Sequence, residues 1–292
     1  MTAYVGAFDS LEEAWWHTVS LLNRQPQGRA VNTIMAVTSP AADADPDFLF
    51  AIDETLRAQG RQSVSTVAGT LFPQRLYRSP GGSWRPNEPA IEDALDAAAG
   101  RLYRNYLTML PTLMTHPENE SGTYFSRMIA WPGKPETGGL NQLDKRIHYL
   151  RLAHGRGDRS HNASDITLQF AEDRDDVSPL SVQEYAATDD RQTSFPCLVH
   201  ISLTVHQGRI SMGVVYRHWF TITKGFGNLL GLSRLLHFLA EQTGYGVGEL
   251  MVTATKGNAE RTPFRRAGVD GLLLRTRAVL DARTEEEDES TA

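Results

Sequence analysis

The chain has 292 residues, 40% hydrophobic and 22% charged, with a net charge of −6, which describes a soluble globular protein large enough to bury a core without staples. The acidic balance argues against a nucleic-acid surface as its main business, and one cysteine excludes an internal disulfide framework and a cysteine-based zinc site. No apolar run approaches the ~20 residues of a membrane span and Met1-Thr2-Ala3-Tyr4 lacks the regions of a signal peptide, so a cytoplasmic protein with no membrane or nucleic-acid partner is expected.

Ser10-Leu11-Glu12-Glu13 is a capping box that opens a helix through Leu22. Val31 to Val37 reads as a strand, Asp47 to Ala58 as a helix and Ser63 to Leu71 as an extended segment. Arg78 to Pro89, with its Pro-Gly-Gly, is a surface loop. Ile91 to Met109 is a long helix whose buried stripe is Leu95, Ala99, Leu102, Tyr106 and Leu110. Gly138 to His154 contains a further helix, and His154-Gly155-Arg156-Gly157-Asp158-Arg159 is a basic, glycine-containing loop. Ile166 to Phe170 reads as a strand, with exposed connections at Glu172 to Asp176 and Asp189 to Arg191.

Phe195-Pro196-Cys197 then introduces two alternating runs, Leu198 to Val205 and Ile210 to Tyr216. The short joint His206-Gln207-Gly208-Arg209 makes them an antiparallel hairpin. An extended run reaches Thr223, Gly225-Phe226-Gly227-Asn228 leads into a helix with Leu232, Leu235, Leu236, Leu239 and Ala240 at helical spacing, and Gly244 ends it. Glu249 to Thr255 reads as another strand and Gly268 to Arg283 as a last helix or strand-plus-helix. Residues 1–283 read as one domain, and 284–292 as an acidic, disordered end.

Pro196-Cys197, the strand ending in Tyr216-Arg217, Gly225-Phe226-Gly227-Asn228, the run from Leu235 to Gly244 and Gly248-Glu249-Leu250 together resemble the thymidylate synthase and pyrimidine hydroxymethylase family. Upstream, Ala130-Trp131-Pro132, Leu140-Asn141-Gln142-Leu143 and Arg159-Ser160-His161 fall in that family's order, so the resemblance covers about residues 124 to 262. It implies an α/β (α+β) fold with a large mixed, mainly antiparallel sheet flanked by helices, and a homodimer joined through the sheet faces. It also implies transfer of a hydroxymethyl or methyl unit to C5 of a pyrimidine nucleotide or analogue, from 5,10-methylenetetrahydrofolate. In that reading Cys197 is the nucleophile and Arg159, Arg29 and Arg217 are phosphate ligands. Asn228 reads the base, Asn258 and Glu260 hold the sugar, and Trp131 lines the folate pocket.

The same residues have plainer readings. A cysteine entering a strand is usually a small buried hydrophobe, Arg29 a solvated loop arginine, and Trp131, Tyr103 and Tyr106 core aromatics. The departures from the family fall on ligand-facing positions. Arg217-His218-Trp219 stands where the family has Gln-Arg-Ser, and a one-residue shift in a strand reverses the face, so Arg217 does not simply inherit the arginine's role. Thr221 replaces an aspartate, and Asn258-x-Glu260 replaces His-x-Tyr. An altered substrate, or a nucleotide-binding or regulatory protein without turnover, therefore stands beside the enzyme reading. No histidine or carboxylate spacing points to a metal, and no dinucleotide or phosphate-loop motif is present.

Overall fold

The computed structural model describes residues 2–119, 122–131, 139–167 and 197–291. In chain order the elements are β1 Thr2–Phe8, α1 Leu11–Arg24, β2 Arg29–Val37, α2 Pro46–Ala58, α3 Val64–Leu71, α4 Pro89–Leu113, α5 Tyr124–Ile129 and α6 Gln142–Gly155. They continue with β3 His161–Thr167, β4 Leu198–His206, β5 Arg209–Phe220, a π-helical turn Thr221–Gly225, α7 Phe226–Thr243, β6 Gly246–Asn258 and α8 Arg261–Thr291. The expected strand end at Phe170, the connections at Glu172 to Asp176 and Asp189 to Arg191, and Pro132 and Pro196 lie outside the described residues. The helix α8 includes Thr284 to Thr291, the acidic stretch read above as a disordered end.

The strands form a mixed sheet in the order β1-β2-β6-β5-β4-β3. β1 and β2 are parallel, with α1 as their crossover. β2 and β6 are antiparallel, as are β3 and β4. The two-residue turn between β4 and β5 has positive φ at both Gln207 (50°) and Gly208 (74°), the requirement of a type I′ hairpin. β5 and β6 run parallel, because Gly246 N–H donates to the Gly208 carbonyl at their starts and the Thr221 hydroxyl to the Asn258 carbonyl at their ends. The helix α7 is therefore the crossover of a second βαβ unit.

Contacts group the chain into two compact units. The first comprises Met1–Gly69, Tyr216–Arg234 and Glu249–Ala292. Ser10 caps α1 by accepting from Glu13 N–H, and Leu11, Trp15, Val19 and Leu22 bury its apolar stripe. Trp15 meets Phe48 and Phe226 edge-on at 5.7 and 6.0 Å and donates its indole N–H to the Thr221 carbonyl at 2.6 Å. The segment Ser63 to Leu71, expected to be extended, is instead capped and helical. Val64, Val67, Ala68 and Leu71 are buried at helical spacing, Asp53 accepts from Val64 N–H, and Ser63 accepts from Thr66 N–H. Burial of that stripe outweighs the β preference of its valines and threonines.

The second unit comprises Thr70–Val215 and Leu235–Gly248. Here Phe72, Tyr77, Phe125 and Phe238 pack as one aromatic cluster. Arg151, 8% exposed, ties α6 to the end of α7 by donating to the Gln242 carbonyl and side-chain oxygens and to Asp96. Gly244 ends α7 at φ 78°, where a Cβ would collide with the Trp84 carbonyl.

Candidate functional site

In the first unit a polar cluster gathers where β2, β5 and β6 end. Glu260 is 6% exposed. Its Oε2 accepts from the N–H groups of Ile222 and Thr223, both at 2.8 Å, and its Oε1 accepts from the Thr223 hydroxyl at 2.7 Å. This carboxylate clamps the π-helical turn that precedes α7. Burial pushes its pKa up from the ordinary range, against the opposing effect of those three donors. Its backbone N–H donates to Asn258 Oδ1 at 2.9 Å, which turns the Asn258 amide nitrogen toward His218 Nε2, 3.5 Å away.

Arg29 pairs with Asn258 across the β2–β6 ladder, and Lys256 stands opposite Val31 on the same pair of strands. Burial lowers the His218 pKa, and the charges of Lys256 and Arg29 lower it further. Asn228, in the first turn of α7, is 5% exposed, and its amide has no hydrogen-bond partner among the described residues. Arg217 is half-buried, as is His218. The expected strict alternation of faces does not hold here. Tyr216 and Trp219, three residues apart, are both buried and stack at 6.2 Å, so an extra residue has shifted the phase of β5 at Arg217 and His218.

In the second unit Cys197 enters β4 half-buried rather than sealed in the core. The Tyr124 hydroxyl accepts from Leu198 N–H at 3.3 Å. Burial raises the Tyr124 pKa, the neighbouring Cys197 adds to that, and Arg127 works against it. Arg127 itself is 1% exposed. Arg159 is exposed after α6 and lies against the Gly208 turn of the hairpin. Trp131 is 4% exposed and exchanges backbone hydrogen bonds with Leu140 at 2.7 and 2.8 Å. A ring so covered does not fit an open stacking platform for a pterin.

The predicted residues thus divide. Arg29, Arg217, Asn228, Asn258 and Glu260 belong to the first unit, and Cys197, Arg159 and Trp131 to the second. Within the first unit Arg29, Asn258 and Glu260 come together; within the second, Cys197 gains Tyr124. Sequence reading passed over Tyr124 and Lys256, and took His218 only as part of the Arg217-His218-Trp219 departure from the family pattern. A hydroxyl seven residues before Trp131 and two basic residues in strands carry no motif of their own. Among the described residues no helix is long and apolar enough to cross a membrane, and no three His, Cys, Asp or Glu side chains gather as a metal site.

No protein-family model matches the chain, and no curated protein sequence matches it. Among solved structures, thermostable thymidylate synthase A from Bacillus subtilis is similar over 89% of this chain and 84% of its own, at 12% identity and a TM-score of 0.47.

Proposed function

We propose that the protein transfers a one-carbon unit to C5 of a pyrimidine nucleotide or a close analogue, with Cys197 as nucleophile. The observation that carries this reading is a half-buried Cys197 at the entry of β4, next to Leu198, whose N–H donates to the Tyr124 hydroxyl. C5 of a pyrimidine is barely nucleophilic. Thiolate addition at C6 forms a C–S bond and moves the C5–C6 electron pair onto C5, which then attacks an electrophilic carbon. Loss of the C5 proton and expulsion of the thiolate restore the ring, and sulfur suits both the attack and the departure. Tyr124, whose hydroxyl accepts from Leu198 N–H, is proposed to donate its own proton to the sulfur.

Asn228, at the start of α7, is the proposed reader of the base, since its amide makes no hydrogen bond to the described residues and is open to a ligand. Asn258 is proposed for the sugar, and Arg29, Arg159 and Arg217 for phosphate. Glu260 serves by holding the turn that presents α7. The resemblance implies 5,10-methylenetetrahydrofolate, which would supply the carbon; because Trp131 is covered, no step is assigned through that cofactor. Partnering is proposed as a homodimer through the open sheet face of the first unit. There Tyr4 (71% exposed) and Met251 (46%) flank the half-buried Ile34 and Ala36 in register.

A nucleotide-binding protein without turnover is the second reading, favoured by one observation: Glu260, expected to face ligand, has its oxygens taken by the chain's own donors. Intact-protein mass spectrometry with 5-fluoro-pyrimidine nucleotides, with and without methylenetetrahydrofolate, separates the two. The one-carbon reading expects a covalent adduct in the wild type that is lost in Cys197→Ala. Saturable nucleotide binding with no adduct would sink it and establish the second.

A further inference from the structure

We propose that the outward face of α6 is a docking surface for an acidic, amphipathic helix of a partner protein. Tyr149 and Leu152 receive its apolar stripe, and Lys145, Arg146 and Arg156 receive its carboxylates. The surface lies within the second unit and uses none of the residues assigned to one-carbon transfer.

The helix has two unlike sides. It buries Leu143, Ile147, Leu150 and Arg151. At 3.6 residues per turn the opposite side carries Lys145, Tyr149, Leu152 and, as the C-cap, Arg156, spaced by four, three and four. Lys145 and Arg156 are exposed, and the apolar pair between them, Tyr149 and Leu152, is 46% and 44% exposed. The Arg146 guanidinium lies over the Tyr149 ring at 6.0 Å, and His148 meets that ring edge-on at 5.9 Å. Inward and outward cations of this helix are treated differently. Arg151, facing in, is neutralised by Asp96 at 2.7 Å and Glu92 at 3.6 Å. Lys145, Arg146 and Arg156 form no ion pair among the described residues, and the covered Arg146 Nε has no acceptor there. Unpaired positive charge thus stands on one face of a chain whose net charge is −6.

The charge pattern selects the occupant. Uncompensated cations attract a negative partner and steer its approach. From Lys145 to Arg156 the face runs about 16 Å at 1.5 Å per residue, the length of about three turns of a second helix laid alongside. Cations at both ends and an apolar pair in the middle complement a helix with an apolar stripe between acidic ends. Carboxylates also suit Arg146, whose planar fork takes two oxygens while its face stacks on Tyr149. Nucleic acid fits less well, because so few cations neutralise few phosphates and Leu152 finds no apolar partner on a phosphate backbone. A membrane fits less well too, since one tyrosine and one leucine offer little apolar area to insert.

The test is fluorescence anisotropy of the full chain with a labelled probe peptide of about four helical turns, with leucines at helical spacing on one face and glutamates at both ends. We expect saturable binding with a Kd of about 10–100 μM at about 50 mM salt, weakened about fivefold or more at about 300 mM. A scrambled peptide of the same composition, which lacks the stripe, should bind about fivefold more weakly or worse. Lys145→Glu combined with Arg156→Glu should weaken binding about tenfold or more, and Tyr149→Ser combined with Leu152→Ser about fivefold. These positions face outward, so the urea midpoints of both variants should stay at the wild-type value. No saturable binding, equal binding of the scrambled peptide, or affinity untouched by the charge reversal overturns the surface, and the first two results need no variant to fold. A single-stranded oligonucleotide or a phosphatidylserine vesicle that binds more tightly than the peptide, and is lost on charge reversal, overturns the acidic helix as occupant.

Discussion

Substitution of Glu260 tests whether one buried carboxylate holds the turn into α7. Its oxygens accept from Ile222 N–H, Thr223 N–H and the Thr223 hydroxyl at 2.7–2.8 Å. Glu260→Ala leaves two backbone N–H groups without an acceptor. Each costs about 1–3 kcal/mol, so the expected loss is about 2–6 kcal/mol, a large share of a total stability of about 5–15. Glu260→Gln keeps an oxygen for the two N–H groups and turns its NH2 toward the Thr223 hydroxyl, which can accept, so the loss should be about 1 kcal/mol. Residue 260 also sits at φ 48°, the left-handed region. Glycine adopts that conformation without a Cβ clash, so Glu260→Gly should recover about 1 kcal/mol relative to Glu260→Ala. The assay is urea unfolding, comparing midpoints at constant m. It also carries a pH signature. The Glu260 pKa is raised in the folded protein, so the folded state holds that proton more tightly than the unfolded chain. The contribution is fully present below the ordinary value of 4.5 and is lost as pH rises through the folded value. The wild-type midpoint should therefore fall relative to that of Glu260→Gln as pH rises across this window. An alanine variant within about 0.5 kcal/mol of wild type, or alanine and glutamine variants of equal stability, would refute the clamp.

Gly227→Ala should cost about 1–3 kcal/mol by overpacking, because its Cβ would stand 2.6 Å from Val67 Cβ and 2.9 Å from the Val64 carbonyl oxygen; an unchanged melting temperature would contradict the close approach of α7 to α3. Asn228→Ala removes no hydrogen bond among the described residues, so stability should change by less than about 1 kcal/mol while nucleotide affinity falls about tenfold or more. A stability loss above about 2 kcal/mol would instead reveal a structural amide. Ser10→Ala should lower stability by about 0.5–2 kcal/mol through loss of the α1 cap, read by urea midpoint. Tyr4→Glu combined with Met251→Glu should turn a dimer into a monomer in light scattering after gel filtration; a monomeric wild type would refute the sheet-face interface.

Local chemistry made much of the fold legible. A serine hydroxyl three residues before an N–H it can reach announces α1, and Ser10 does cap Glu13. The hairpin followed from period-two alternation around Gln207-Gly208, and α7 from leucines at helical spacing ended by Gly244. Each of these signals lies within about ten residues. β1 was passed over because seven residues of weak alternation become a strand only by pairing with β2. The segment Val64–Leu71 was misread because β-branched residues favour strands until their stripe finds a core to cover.

The site divides along the same line. Cys197, Asn228, Asn258 and Glu260 were singled out by the family resemblance of short runs around them, because the order of such runs is legible in the sequence. It did not foresee that Glu260 would hold backbone 37 to 38 residues away, nor that Asn258, in register with Arg29, would turn its amide toward His218. Those relations join strands far apart in the chain. Strand register, the phase shift in β5 and the direction of the Asn258 amide decide them, and all three exist only once the sheet has formed.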